Sequence, residues 1–361
     1  MSKLRVGILG ATGMVGQRFI TLLEGHPWFE VVAVAASKNS AGRSYGTAVT
    51  ERWKYRSPIP ATVQHLSVYS VEDDIETIAR NVDLVFSSID MEKEATKRIE
   101  ESYAAAGVPV VSNNSAHRWT TDVPMIMPEI NPQHVGIIPA QQKNHGWSKG
   151  FIAVKPNCSI QSYVPVIQAL KAFAPTRAIV TTMQAISGAG KTFDTWPEMI
   201  DNVIPYIAGE EEKSEQEPLK ILATIKDGMF ELAKEPLISV NCIRVPVSDG
   251  HLASVHIAFQ AKPSRDELIT ALRNFENPLS SLSLPSAPEP FITYFDEDDR
   301  PQTKLDRDLG RGMGISVGRL RAEPVFGWKF VALSHNTIRG AAGGAILLAE
   351  LLKAKGYLQS I

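Results

Sequence analysis

The fold is decided by one stretch near the N-terminus: Leu4-Arg5-Val6-Gly7-Ile8-Leu9-Gly10-Ala11-Thr12-Gly13-Met14-Val15-Gly16. Its first half, Leu4–Leu9, is a continuous apolar strand, and a helix is predicted to follow over Met14–Glu24. Gly10 permits the tight turn between them, Gly13 lets the backbone approach a phosphate group, and Gly16 lets the helix pack on the strand. A strand, glycine loop and helix in this order are typical of a dinucleotide site, with the pyrophosphate at the helix N-terminus.

The next hundred residues continue to alternate between strand and helix. Further strands are predicted at Val31–Ala35, Asp83–Ile89 and Val108–Ser112, with a helix at Glu92–Ala106. Because buried apolar strands separated by helices form parallel sheets, this part of the chain is predicted to be a doubly wound α/β domain of the Rossmann type.

The pattern changes after Asn157, where longer strands are separated by fewer helices. The predicted elements are a helix from Cys158 to Phe173, strands at Ala178–Ser187, Ile238–Val247, Leu252–Ala261 and Gly327–Leu333, and a C-terminal helix over Ile338–Lys355. This pattern predicts an α+β domain with an open mixed sheet. We therefore expect an N-terminal domain over residues 1–156, a catalytic and dimerisation domain over 157–334, and a return of residues 335–361 to the first domain.

Composition limits the classes of function. The chain has 361 residues, 44% of them hydrophobic and 21% charged, with a net charge of −2. That length suits two domains, and the charge gives no basic field for nucleic acid or an anionic membrane. Two cysteines are too few for a disulfide framework, and neither a signal peptide nor a membrane-spanning run is evident. We expect a cytoplasmic protein with no bound metal.

The end of the second strand indicates which dinucleotide is bound. Enzymes that use NAD usually carry an acidic residue there, whereas this strand ends in Ser37, Lys38 and Ser40. Hydroxyl donors and a positive charge favour the 2′-phosphate of NADP, although Lys38 could also be an ordinary surface lysine. The cofactor contacts expected on the first domain are Gly10, Thr12, Gly13, Met14, Val15, Ser37, Lys38, Ser40, Ser87 and Ser88.

Cys158 is the candidate nucleophile. It lies between a predicted strand and a predicted helix, in Lys155-Pro156-Asn157-Cys158-Ser159. At a helix N-terminus the pKa of a thiol is expected to fall, because the helix dipole favours the thiolate. Cys242 lies in an apolar strand and is expected to be a buried hydrophobic residue instead.

His251 is the candidate acid or base among eight histidines. It follows Asp249-Gly250 at a turn between two strands, where a side chain can enter a cleft. A neutral imidazole suits proton transfer near pH 7. The alternative is a turn histidine without a role, and His256, inside the next strand, is expected to be structural.

Five motifs together carry a family resemblance. They are Gly10–Gly16, Pro156–Ser159, Gln184–Gly190, Glu210–Lys213 and Arg244–His251. Their order along the chain resembles that of the aspartate-semialdehyde dehydrogenases, and the likeness covers nearly the whole sequence. Ser112–Ser115 and Glu210–Lys213 are most similar to the archaeal and fungal branch of that family.

The resemblance implies roles for particular residues. Arg244 would anchor a substrate carboxylate, Glu210 would hold the substrate amine, and Gln184 with Asn157 would hold the substrate beside Cys158. Arg118 and Lys213 would bind phosphate, unless they are plain surface charges, and Arg244 could be a structural ion pair. Ser187 and Gly188 would line the nicotinamide pocket, which Asn336 would meet from the other side.

The implied reaction is the phosphorylating oxidation of aspartate semialdehyde through a cysteine thioester, with NADP and inorganic phosphate. Its reverse serves lysine, threonine, methionine and isoleucine biosynthesis. A homodimer or homotetramer is expected, because an open sheet needs a cover. Two alternatives stay open: a related acyl reductase acting on malonyl-CoA, N-acetylglutamyl phosphate or glyceraldehyde 3-phosphate, and a non-catalytic NADP sensor.

Overall fold

The computed structural model describes residues 2–360. The first domain contains six strands that all pair in parallel, in the order β3-β2-β1-β4-β5-β6. The strands are β1 (Leu4–Leu9), β2 (Phe29–Ala36), β3 (Val68–Ser70), β4 (Leu84–Ser87), β5 (Val110–Ser112) and β6 (Ile152–Val154). The strand order reverses direction at β1, as it does in doubly wound dinucleotide-binding folds, so the predicted Rossmann architecture is confirmed.

Five helices connect these strands. They are α1 (Met14–Leu23), α2 (Tyr45–Val49), α3 (Ile75–Ala79), α4 (Lys93–Ala105) and α5 (Ile138–His145). The predicted bounds of α1 and α4 are confirmed to within one residue. The strand predicted before Lys155 is β6, and the sequence pattern did not reveal β3, which has only three residues.

The second domain is built on a mixed sheet with the strand order β10-β7-β11-β14-β13-β12. The strands from β7 onward are β7 (Pro175–Gln184), β8 (Thr224–Lys226), β9 (Met229–Glu231), β10 (Leu237–Arg244), β11 (His251–Phe259), β12 (Ile292–Phe295), β13 (Ile315–Glu323) and β14 (Gly327–Ser334). β10 pairs with β7 in parallel, and β12 pairs with β13 in parallel, whereas the central pairs are antiparallel. The open mixed sheet is confirmed.

The predicted helix from Cys158 to Phe173 is wrong. The helices of this part are α6 (Val164–Ala169), α7 (Glu210–Ile221), α8 (Arg265–Arg273), α9 (Thr303–Asp306) and α10 (Gly343–Ala354). Ser159–Gln161 forms a separate 3-10 turn before α6, and Lys171–Phe173 forms another after it. Pro165 explains the break, because proline lacks an N–H and favours the first turn of a helix over its interior.

The C-terminal helix returns to the first domain. A π-helical turn at Ile338–Ala342 precedes α10, so the predicted helix starts with a distortion. Leu347 and Leu351 are fully buried in one cluster with Val6 and Ile8 of β1. The predicted domain boundaries themselves stay a prediction.

One face of the second sheet leaves apolar side chains in contact with solvent. Ile179 on β7 is 40% exposed and Leu237 on the edge strand β10 is 63% exposed. A neighbouring loop pairs with this edge strand through a bridge between Ile204 and Arg244. In this loop Ile200 is 62% exposed and Tyr206 is 64% exposed. These four residues are called the apolar sheet face below.

Within residues 2–360, no helix is both long enough and apolar enough to cross a membrane.

Candidate active site

Cys158 and His251 meet where the two domains join. Cys158 follows β6 by four residues, and His251 is the fully buried first residue of β11. The Cys158 Sγ and His251 Nε2 atoms are 3.5 Å apart, although 93 residues separate them. A Cβ added to Gly340 would lie 2.8 Å from the Cys158 Cβ, so the π-helical turn packs directly against the nucleophile.

His251 is held as a neutral ring. Its Nδ1 accepts the backbone N–H of Ala185 at 3.1 Å, which places the single proton of a neutral imidazole on Nε2, facing the sulfur. Burial and, to a smaller degree, the positive charge of Arg244 lower the pKa of His251 to about 3. In the resting site His251 is therefore a hydrogen-bond donor toward Cys158.

The thiol is also neutral at rest, which corrects the expected low pKa. Burial and, to a smaller degree, the Glu210 carboxylate raise the pKa of Cys158 to about 11. Lys155, Arg118 and Arg244 oppose it with their positive charges. The predicted helix dipole cannot lower the pKa, because only a three-residue 3-10 turn follows Cys158.

Cys242 lies outside the site. It is fully buried on β10, and its sulfur is 3.8 Å from the Ser214 hydroxyl.

Among residues 2–360, no three His, Cys, Asp or Glu side chains converge as metal ligands would.

Arg244 presents a buried cation without an acidic partner. It ends β10, is 5% exposed, and donates from Nη1 to the Ala185 carbonyl at 2.7 Å. In the described part of the chain, no carboxylate lies within ion-pair distance of its guanidinium. A Cβ on Gly188 would lie 2.8 Å from Nη1 and 3.1 Å from His251 Cε1, so the predicted nicotinamide loop closes over both side chains.

Glu210 presents the complementary feature, a buried acceptor without a donor. Its Oε1 accepts hydrogen bonds from Asn157 Nδ2 and Lys213 Nζ, each at 3.1 Å. Its Oε2 is buried and has no hydrogen-bond partner among the described residues. A buried unpaired oxygen is costly, so this position fits a donor group of a ligand.

The two predicted phosphate ligands are already tied to acidic residues. Arg118 is 6% exposed and donates from Nη1 to Glu217 at 2.8 Å, while its buried Nε has no partner in residues 2–360. Lys213, with its side chain 35% exposed, is paired with Glu210. Glu217 also accepts the Asn157 N–H at 2.6 Å, so it links Arg118 to the segment that carries Cys158. Sequence reasoning missed Glu217, although it lies two helical turns after Glu210 on α7.

Two further predicted residues lie beside the catalytic pair. Gln184 is buried at the end of β7, and its amide donates to the Thr182 hydroxyl at 3.2 Å. Asn336 donates to the Ser187 hydroxyl and accepts the Gly250 N–H, both at 2.8 Å. Asn336 thus joins the nicotinamide loop to the turn before His251.

A cavity of about 240 Å³ lies over the glycine loop. The lining residues include Gly10, Thr12, Gly13, Ser37, Arg52 and Ser88. A Cβ on Gly10 would lie 2.3 Å from the Ser88 carbonyl oxygen, and one on Gly16 would lie 2.2 Å from the Gly10 carbonyl oxygen. The loop is therefore as tight as the glycine pattern predicts, and the cavity suits a dinucleotide approaching the N-terminus of α1, where Met14 and Val15 lie.

Five cofactor residues expected on the first domain do not line this cavity: Met14 and Val15 of α1, and Lys38, Ser40 and Ser87. Lys38 has its side chain 62% exposed and lies 3.1 Å from Asp73, whose carboxylate raises the pKa of the lysine. Ser87 is fully buried, and its hydroxyl accepts from Asn114. Ser40 is buried and accepts from Arg52 Nη2 at 3.3 Å. Arg52, the basic residue in the lining, carried no sequence signal because it belongs to no motif.

The chain was compared with known proteins. A family model for the NAD-binding domain of semialdehyde dehydrogenases matches residues 5–138, and one for their dimerisation domain matches residues 165–339. Aspartate-semialdehyde dehydrogenase of Archaeoglobus fulgidus is 42% identical over 96% of this chain and 97% of that protein. The enzyme of the same name from Aspergillus fumigatus is 42% identical over 99% of each chain.

A solved structure agrees with these relatives. The crystal structure of aspartate semialdehyde dehydrogenase with NADP from Candida albicans superposes with a TM-score of 0.87 at 38% identity, over 99% of this chain and 100% of that one. The archaeal and fungal resemblance found in the motifs is confirmed by relatives from both groups. The chain belongs to the aspartate-semialdehyde dehydrogenase family.

Proposed function

We propose that this protein interconverts L-aspartate 4-semialdehyde and 4-phospho-L-aspartate with NADP, through a thioester on Cys158. The observation that carries the proposal is the pairing of Cys158 with His251 between an unpaired guanidinium, Arg244, and an unpaired carboxylate oxygen of Glu210. Family membership supports the same reaction.

The charges of the site match a free amino acid. Arg244 can hold an α-carboxylate through its unused guanidinium donors, and Glu210 Oε2 can accept from an α-ammonium. Malonyl-CoA has no amine, and N-acetylglutamyl phosphate has an acylated one. Either substrate would leave the Glu210 oxygen without a cation. Arg244 and Glu210 together therefore favour aspartate semialdehyde.

The proposed chemistry begins with the Cys158 thiolate attacking the aldehyde carbon, which forms a C–S bond and an alkoxide. His251 Nε2–H donates a hydrogen bond to that oxygen in both directions of the reaction and keeps its proton. NADP⁺, when bound, supplies the hydride acceptor. A phosphate oxygen then attacks the thioester carbonyl, the C–S bond breaks, and the thiolate is restored. In the cell we propose net flow toward the semialdehyde, for amino-acid biosynthesis.

A panel of aldehydes tests the substrate assignment. We expect phosphate-dependent reduction of NADP⁺ with L-aspartate semialdehyde. Succinic semialdehyde, which lacks the amine, should have a kcat/KM about 10- to 150-fold lower, because one charge-assisted hydrogen bond is lost. Glu210→Gln should erase that preference, whereas the exposed neighbour Glu212→Gln should keep it. Equal kcat/KM values for the two aldehydes, or turnover that ignores phosphate, would contradict the proposal.

NADP specificity is proposed to depend on Arg52 more than on Lys38. Arg52 lines the cavity beside Ser37 and reaches Ser40, whereas Lys38 points toward solvent and Asp73. A guanidinium binds a phosphate group through geometrically matched donors.

Arg52→Leu should lower kcat/KM for NADP about 10- to 150-fold and leave the value for NAD unchanged, because only NADP carries the 2′-phosphate. Lys38→Leu is the matched control and should change little the ratio of kcat/KM for NADP to kcat/KM for NAD. The assignment is wrong if Lys38→Leu lowers this ratio and Arg52→Leu does not.

Phosphate is proposed to bind beside Lys213 and the free Nε of Arg118. Lys213→Met should raise the phosphate KM about 10- to 150-fold. The first half-reaction should survive, so rapid mixing with semialdehyde and NADP⁺ should still give a burst of about one NADPH per site. Arsenate should replace phosphate in the wild type and lose affinity to the same degree in the variant. An unchanged phosphate KM would place the anion site elsewhere.

The oligomer is proposed to form through the apolar sheet face, and the family's dimerisation domain supports this. Four exposed apolar side chains on and beside an edge strand need a cover. Light scattering should give at least twice 39.5 kDa. Leu237→Glu should reduce the mass, whereas Val325→Glu, at another exposed apolar position, should not. A wild-type monomer would contradict this proposal.

A further inference from the structure

Lys155 is a buried cation to which the proposed chemistry gives no role. It follows β6 directly, three residues before Cys158, and its side chain is 2% exposed. Its Nζ donates to the carbonyl of Pro156. Within residues 2–360, no carboxylate lies within ion-pair distance of this ammonium. Burying an ammonium without an anion is costly, so the position calls for an explanation.

The side chain lies beside the nucleophile. A Cβ on Gly344 would be 3.1 Å from Lys155 Cε, and a Cβ on Gly340 would be 2.8 Å from the Cys158 Cβ. These glycines are four residues apart on the segment formed by the π-helical turn and the start of α10. One short segment therefore packs against both side chains, and holds the lysine stem and the cysteine close together in the same interior.

The other charged groups near Lys155 are already matched. Glu217 of α7 is paired with Arg118 from the loop after β5, and Glu129 is paired with Arg339 of the π-helical turn. His251 of β11 is neutral for the reasons given above. Of these neighbours in the described chain, Cys158 is the group that can become a new anion.

We propose that Lys155 is a positioning residue whose ammonium is the counter-ion of the Cys158 thiolate. His251 cannot supply that charge, because a second ring proton on Nδ1 would face the N–H of Ala185. The proton that leaves the sulfur is released to solvent, and no other bond changes. This inference rests on one part of the proposed function, namely that Cys158 is the nucleophile.

The electrostatics of the two groups agree with this arrangement. Burial is the largest influence on Lys155 and leaves its pKa lowered to about 7, and the Cys158 thiolate is the largest influence in the opposite direction. The positive charge of Lys155 in turn lowers the pKa of the thiol and that of His251. Each charge in the pair therefore favours the formation of the other.

The test measures alkylation of Cys158 by iodoacetamide against pH, with the modified peptide identified by mass spectrometry. This readout needs no turnover, so it can succeed or fail independently of the proposed reaction. Lys155→Met removes the charge, and Lys155→Gln removes the charge but keeps a hydrogen-bond donor for Pro156. Both should raise the apparent pKa of alkylation by about one unit, so that alkylation at pH 7 slows about tenfold.

The matched control is Lys220→Met. Lys220 is another buried lysine, 3% exposed, but it donates to the Arg118 and Thr120 carbonyls and is not among the groups that shift the pKa of Cys158. Its loss should leave the alkylation profile unchanged. An equal shift in Lys220→Met would show that the effect is general loss of packing, and would overturn the proposal.

Three further results would overturn it. The first is an unchanged profile in Lys155→Met, and the second is a wild-type profile in Lys155→Gln, which would assign the effect to the hydrogen bond. The third is a Lys155→Met protein that does not fold, because removing an unpaired buried ammonium should leave thermal stability equal or higher. The alkylation profile could shift as expected while the wild-type protein oxidises no aldehyde. That result would support the role of Lys155 as counter-ion and would refute the proposed function.

Discussion

The contact between Cys158 Sγ and His251 Nε2 is the constraint on which the rest of the structure depends. It brings the segment that follows the carboxyl end of the parallel sheet against the first residue of β11, where the two sheets meet. The C-terminal segment then has to pass directly over the nucleophile, where Gly340 leaves no room for a side chain. The return of α10 to the first domain follows from that path, and its leucines fill the core beneath β1.

The site combines neutral reacting groups with unmatched binding groups. Cys158 and His251 are both uncharged at rest, because burial disfavours the thiolate and the imidazolium alike. Among the described residues, Arg244 has no acidic partner and one oxygen of Glu210 has no hydrogen-bond partner. Such groups cost stability in the free protein, and they match the two charges of an amino-acid substrate. The resting site is thus arranged to become electrostatically complete when the ligand arrives.

Local sequence patterns predicted much of this architecture. The glycine loop, the alternating strands and helices, and the strands β7, β10, β11 and β14 were predictable because each depends on neighbouring residues. The helix after Cys158 was mispredicted because the apolar pattern outweighed Pro165. Long-range side-chain pairs were not readable at all: Arg118 with Glu217 and Lys38 with Asp73 are set by how distant elements pack. For the same reason the contact to the 2′-phosphate was predicted at Lys38, whereas Arg52 is the basic residue that lines the cavity.

The central claim is that Cys158 carries the acyl group, and intact-protein mass spectrometry tests it most directly. The protein is incubated with 4-phospho-L-aspartate in the absence of NADPH, so that a thioester formed on the enzyme cannot be reduced. The account predicts one β-aspartyl adduct per chain, sensitive to hydroxylamine, in the wild type and in Cys242→Ala, and none in Cys158→Ala. An adduct of the same mass that persists in Cys158→Ala would contradict it.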